Sequence, residues 1–146
     1  MITRLCVGAM PIIVLGCAPS APYSVTGDTI VAPLSDAIAD KSRGTRLFAE
    51  RGDAHCVLCH AHAGLNVPFQ GDLGPNLTDV GQRLSPAQIR LRIADYDAVK
   101  PGTTMPPYFR ADGLHQVLTE HQGETVLTGA EIEDIIAFLT DDSTDP

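Results

Sequence analysis

Cys56-Val57-Leu58-Cys59-His60 is the stretch on which the reading of this chain turns. Two cysteines separated by two residues fall on one turn, and a histidine follows at once. The string is C-x-x-C-H, the attachment signature for a c-type haem. Its spacing has a chemical reason: each thiol can add to one vinyl group of the same porphyrin while the adjacent imidazole is turned toward the iron. Three other readings compete for the same residues. A zinc site needs about four ligands, and no second C-x-x-C or His-x₃₋₅-His pair follows at finger spacing. A thioredoxin-like redox pair requires a preceding strand, whereas the residues ahead of Cys56 read as helix. The third alternative is a plain disulfide.

Haem iron in an electron carrier takes a second axial ligand, and a thioether is a common choice that raises the potential. The chain has three methionines, and Met1 and Met10 fall in an N-terminal segment that reads as removed on export. That leaves Met105, in the loop Pro101-Gly102-Thr103-Thr104-Met105-Pro106-Pro107-Tyr108. Its three prolines stiffen the backbone and suit it to hold one side chain in place. A methionine filling a gap in the core is the plainer alternative. His115 and His121 stand as rival distal ligands, although both lie in polar, acid-rich surroundings. His55 and His62 read as exposed neighbours of the attachment turn.

Working outward, residues 5–16 form a nearly continuous apolar run behind a single arginine, Arg4, and no charge returns until Asp28. A membrane-spanning helix needs about 20 apolar residues, and this run is shorter and interrupted by Pro11. Residues 1–17 therefore read as a secretory signal peptide, cleaved after Ala18 or Ser20. In a second version Val14-Leu15-Gly16-Cys17 is a lipoprotein box and Cys17 a lipid anchor. Either way the chain is read as exported. Of the cysteines at 6, 17, 56 and 59, only Cys56 and Cys59 then remain as free side chains. No thiol is left over as a nucleophile, so no residue of this chain is read as catalytic. Residues 18–42 read as a linker or extended arm, and residues 43–146 as one cytochrome-sized domain.

The 146 residues carry a formal net charge of -8, with 18 acids against 10 bases. Nucleic-acid binders show the opposite sign, because phosphates are met by clustered Lys and Arg, so that class is excluded. Residues 111–146 hold nine acids and no Lys or Arg, which reads as a solvated helix face and a frayed tail. Three helices are expected. Residues 44–54, with Leu47 and Phe48 among charges, lead into the C-x-x-C-H turn. Ser85-Pro86-Ala87-Gln88 opens a second helix through a capping box with proline at its first position. Its apolar face is Ile89 and Ile93 with Leu91 flanking, and Arg90 and Arg92 form a solvated face. Thr128-Gly129-Ala130-Glu131 is another capping box, with Leu127 and Ile132 as a hydrophobic staple and Ile135, Ile136 and Leu139 at helical spacing. Glu131, Glu133 and Asp134 then favour the positive end of that helix. The fold class is all-α, about three to four helices with long loops around one covalently bound haem. The haem supplies apolar surface that a domain with no tryptophan otherwise lacks.

C-x-x-C-H, Gly74-Pro75-Asn76-Leu77, a distal methionine loop and a last helix ending in Ala137-Phe138-Leu139 together resemble the class I cytochromes c over residues 44–140. That resemblance implies that the Pro75 carbonyl accepts a hydrogen bond from His60 Nδ1 and that Leu77 packs on the porphyrin. The stretch from Phe69-Gln70-Gly71-Asp72 through Val80-Gly81-Gln82-Arg83, the stretch from Leu127-Thr128 to Leu139, and above all Met105-Pro106-Pro107-Tyr108-Phe109-Arg110 with Asp112-Gly113-Leu114 more narrowly resemble the SoxX family. These are monohaem subunits of the SoxAX cytochrome of periplasmic sulfur oxidation, usually with a cleaved signal, so a lipid anchor at Cys17 departs from the pattern. The resemblance implies a heterodimer with SoxA, which joins thiosulfate oxidatively to a cysteine of the SoxYZ carrier. The chain then takes up the released electrons and passes them to a soluble cytochrome. The alternative is a general carrier serving an oxidase. Many such carriers dock through a ring of lysines, and beyond the signal segment this chain has two, Lys41 and Lys100. A stable subunit needs an apolar contact patch instead, and Ala61, Ala63, Leu65, Val67, Pro68 and Phe69 are the candidates.

Overall fold

The computed structural model describes residues 23–52 and 54–141. Residues 1–17, read from sequence as a signal peptide with Cys17 as the alternative lipid anchor, lie outside the described residues. Five α-helices follow in order: α1 Lys41–Ala49, α2 Cys56–Cys59, α3 Val80–Arg83, α4 Pro86–Asp95 and α5 Gly129–Leu139. Short 3₁₀ turns cover Tyr96–Ala98 and Thr119–His121, and the described residues contain no β-strand beyond one isolated bridge, Thr26 to Thr29. The described residues are all-α, and the stretches between α2 and α3 and between α4 and α5 are longer than any of the helices.

Both capping boxes form. Ser85 accepts from the Gln88 amide and Thr128 from the Glu131 amide, with each partner side chain reaching back. Leu127 and Ile132 are both buried in the main core, as a staple requires. The first helix differs from expectation at both ends. It starts at Lys41, because the Asp40 carboxylate accepts from the amides of Ser42 and Arg43. It stops at Ala49, where Glu50 turns extended ahead of Arg51 and Gly52, and so does not run on to Ala54.

The core is centred where α1 crosses α5. Phe48 meets Phe138 edge to face, 5.5 Å between centroids, a favoured aromatic geometry. The crossing depends on Gly44, since a Cβ there would sit 2.9 Å from the Ile135 amide nitrogen and still closer to the Asp134 carbonyl. Val57, Ile132, Ile135 and Leu127 belong to the same cluster.

Helix α4 is enclosed on two sides. Ile89 and Ile93 join the main core, while Leu91 and Ala94 form a second cluster with Ile30 beneath the N-terminal arm. This corrects the reading of Leu91 as merely flanking and of Arg90 as solvated. Arg90 is 5% exposed because residues 23–40 lie over that face. Its Nη1 donates to the Ile30 carbonyl at 2.8 Å, and its Nε and Nη2 pair with both oxygens of Glu133 at 2.6 and 2.8 Å. The Ile30 amide in turn donates to the Ala87 carbonyl at 3.1 Å.

The acids of α5 also depart from expectation. Glu133 and Asp134 are buried, on neither a solvated face nor a frayed tail, and each fastens the arm. Glu133 accepts from the Leu34 amide at 2.9 Å; Asp134 accepts from the Asp40 amide at 2.6 Å and pairs with the Arg43 guanidinium at 2.7 Å. Two adjacent carboxylates thus hold both an arginine and a backbone N–H each, satisfying charges that burial would otherwise penalise.

Candidate functional site

One turn of helix, α2, carries both thiols. His55 enters it in the left-handed region at φ 56°, and the His60 amide closes it on the Cys56 carbonyl at 2.9 Å. The following loop is laced back onto this turn. Gly71 N donates to Val57 O at 2.9 Å, Gly74 N to Cys59 O at 2.8 Å and Leu77 N to Ala61 O at 2.9 Å. That lacing carries the Pro75 carbonyl to His60 Nδ1, 2.8 Å away. A carbonyl only accepts, so Nδ1 bears the proton and Nε2 presents its lone pair, the tautomer a metal ligand needs. Gly74 makes the approach possible: a Cβ there would lie 2.6 Å from the imidazole Nδ1.

His60, Pro75 and Met105 border both lobes of one cleft, of about 160 and 140 Å³. Cys56, Cys59, Leu73, Lys100 and Tyr108 line the first lobe; Leu77, Val80, Arg83, Arg92, Tyr96 and Leu139 are among the walls of the second. The chain segment after Met105 is fixed by backbone bonds from Tyr108 N to Ile93 O at 3.2 Å and from Leu127 N to Tyr108 O at 3.0 Å. His115 and His121 are exposed and border neither lobe; His121 pairs with Glu124 at 3.8 Å.

Two side chains sit otherwise than the sequence suggests. His62 is 2% exposed, not an exposed neighbour. Its ring lies 4.5 Å from Phe138 and 6.1 Å from Phe48, and its Nδ1 accepts from the Gly64 amide at 3.1 Å. Burial lowers its pKa, against the opposing pull of the Asp79 charge, so it is a neutral core residue. Leu65 is also buried and so falls outside the apolar contact patch.

Sequence reasoning missed Arg92, Tyr96 and Tyr108 as cleft residues. For two of them a signal existed: Ile89, Arg92, Ile93 and Tyr96 stand at i, i+3, i+4 and i+7, one face of α4 continued into its C-cap, and all four line the second lobe.

The donor set suits a metal that brings its own equatorial ligands. Among the described residues no group of three or more His, Cys, Asp or Glu is placed to hold a bare ion. The imidazoles of His55 and His60 and one thioether border a mainly apolar cleft, and of these only His60 and the Met105 thioether reach both lobes. Burial pushes the Cys56 thiol up to about 12, which disfavours the thiolate that zinc binding or nucleophilic chemistry requires. A porphyrin supplies four nitrogens in its plane and needs protein donors only above and below it.

The cytochrome c family model matches residues 42–141, and the chain belongs to the cytochrome c family. Its cofactor is accordingly covalently bound haem c. Among solved structures it is similar to a chain of the crystal structure of SoxXA from P. pantotrophus, with a TM-score of 0.74 and 28% sequence identity. The match covers 84% of this chain and 97% of that chain. No curated protein sequence matches it.

Proposed function

We propose that this chain is the monohaem, SoxX-type electron-transfer subunit of a SoxAX complex. In this reading it takes up, one at a time, the two electrons released when thiosulfate is joined to the SoxYZ carrier cysteine on its SoxA partner. The observation that carries the proposal is the fold likeness over nearly the whole of a SoxXA chain at 28% identity. The Met105-to-Leu114 block, which generic cytochromes c do not share, supports it. Residues 1–17 would direct export to the periplasm, residues 18–42 would form the arm, and residues 43–146 the cytochrome domain.

Bound in the cleft, haem c supplies a one-electron store. The chain's own residues fix how that store behaves. Cys56 and Cys59 would hold it by thioether bonds. His60 and Met105 would ligate its iron, with the Pro75 carbonyl setting the imidazole's orientation and Leu77 packing beside the group. The apolar walls keep water away and favour the less charged, reduced state. Met105→Leu should therefore lower the reduction potential by a sizeable part of the ~0.8 V range that axial ligands span. It should also open the site to added imidazole, seen by absorption. An unchanged potential would remove Met105 from the ligand set.

The contact patch is redrawn around exposed residues. Phe69 is 89% exposed with φ 57°, and Leu73 and Leu58 are exposed nearby in sequence and loop lacing. Arg51 Nη2 donates to the carbonyls of Pro68 and Phe69 at 3.0 and 3.1 Å, holding the loop in a conformation a phenylalanine rarely adopts. Expression with a haem-maturation system and the partner cytochrome tests the function. The two should co-purify and show thiosulfate-dependent haem reduction in the presence of the carrier. Phe69→Asp should weaken association by about 2 kcal/mol, roughly thirtyfold in Kd, with the haem spectrum unchanged. A chain that stays alone and serves an oxidase fully is instead a general carrier.

A further inference from the structure

Arg92 reads from sequence as a solvated residue, yet it borders the lobe that His60 and Met105 share, and its side chain is only 22% exposed. Its partner comes from outside the cytochrome helices. Arg92 Nη2 meets Asp28 Oδ2 at 3.2 Å, and its Nη1 donates to Gln88 O at 3.0 Å and to Asp28 O at 3.4 Å. Gln88 Nε2 donates to the same Asp28 oxygen at 2.9 Å.

Asp28 is held by construction. It lies in a tight turn closed by Thr26 N to Thr29 O at 2.9 Å and Thr29 N to Thr26 O at 3.1 Å, with Gly27 at φ 60°. Two residues on, Ile30 is bonded to Ala87 and Arg90 of α4. The Gln88 hydrogen bond, then Arg92, hold the Asp28 carboxyl below the usual carboxylate range. A cation thus stands in the cleft wall, and a carboxylate 48% exposed to water answers it from the far side.

We infer that Arg92 and Asp28 form a charge couple through which the N-terminal arm sets the reduction potential of the haem held in this cleft. A cation in the wall opposes the extra positive charge of the oxidised state and so favours reduction, the more strongly because the wall is partly shielded from water. Asp28 offsets that cation, and its effect is smaller because solvent and salt screen it. Arg83 borders the same lobe but donates to the carbonyls of Asn76 and Asp79 at 3.1 and 3.3 Å. The couple with the arm therefore belongs to Arg92. It goes beyond the electron-transfer reading, needing haem in the cleft and no partner subunit.

Potentiometric titration of the isolated holo-protein tests it, so a failure to bind SoxA leaves the result intact. Asp28→Asn should shift the potential upward, Arg92→Gln should shift it downward by more, and Arg92→Lys, which keeps the charge, should restore most of the loss. The opposite signs matter, because variants that merely loosened the cleft and admitted water would both move downward. Shifts of the same sign for Asp28→Asn and Arg92→Gln overturn the inference, as do two unchanged potentials. If Arg92→Gln does not fold, an Asp28→Asn potential at or below wild type overturns it alone.

Discussion

Glu133→Gln should destabilise the folded holo-protein by about 3–5 kcal/mol, the cost of breaking a buried ion pair from one side. Both partners are nearly enclosed, with side chains 7% and 10% exposed, and the pairing is bidentate at 2.6 and 2.8 Å. A glutamine keeps the shape but leaves the Arg90 guanidinium without its counter-charge. The same Oε1 accepts from the Leu34 amide, a bond that the amide oxygen of glutamine can keep, so the cost falls on the Arg90 pair. Against a typical total stability of about 5–15 kcal/mol, the loss is large enough to shift a denaturant midpoint plainly. Arg90→Met alone should cost a comparable amount, by orphaning Glu133 and the Ile30 carbonyl. The double variant Arg90→Met with Glu133→Met should fall well short of the sum, because no unpaired charge remains and methionines fill similar space. Additive losses would mean that the two residues act separately, and the ion pair would then not be what secures the arm.

What the sequence disclosed and what it hid divide along chain distance. The C-x-x-C-H turn, the Ser85 and Thr128 capping boxes and the Leu127–Ile132 staple each involve residues at most five apart, so spacing alone exposes them. The Gly74-Pro75-Asn76-Leu77 loop was read through family resemblance, 15 residues from His60. Arg90 and Glu133 are separated by 43 residues, Arg92 and Asp28 by 64. Residue type argued for solvent in every case, since charged side chains are seldom buried without a partner and the partner lay in another segment. His62 was misplaced for the same reason: its neighbours Phe48 and Phe138 come from the two ends of the domain. The start of α1 was lost differently, because Asp40 as its cap looked like part of a weakly patterned arm. Gly44 carried no local signal at all, since its need for a bare Cα comes from the α5 backbone across the crossing.

Gly74→Val should disturb the site more than any other change that leaves Cys56, Cys59, His60 and Met105 in place. A Cβ at this position would stand 2.6 Å from His60 Nδ1 and 2.9 Å from Nε2, distances at which one of the groups must move. The backbone of residue 74 is held by its amide bond to Cys59 O at 2.8 Å, and the ring is the freer of the two. Displacing the ring breaks the bond from Nδ1 to Pro75 O, which fixes both the tautomer and the direction of Nε2. Groups that orient a metal-bound histidine typically account for about 10–100-fold in metal affinity. With the haem still attached through Cys56 and Cys59, the loss should appear as a mixed spin state in the absorption and electron paramagnetic resonance spectra. Binding of added imidazole or carbon monoxide should strengthen, and the yield of matured protein should drop. Gly74→Ala brings the same Cβ and should already show these changes, which the two further methyl groups of valine enlarge. A Gly74→Val protein with a wild-type low-spin spectrum and wild-type potential would show that the imidazole does not depend on the bare backbone at residue 74.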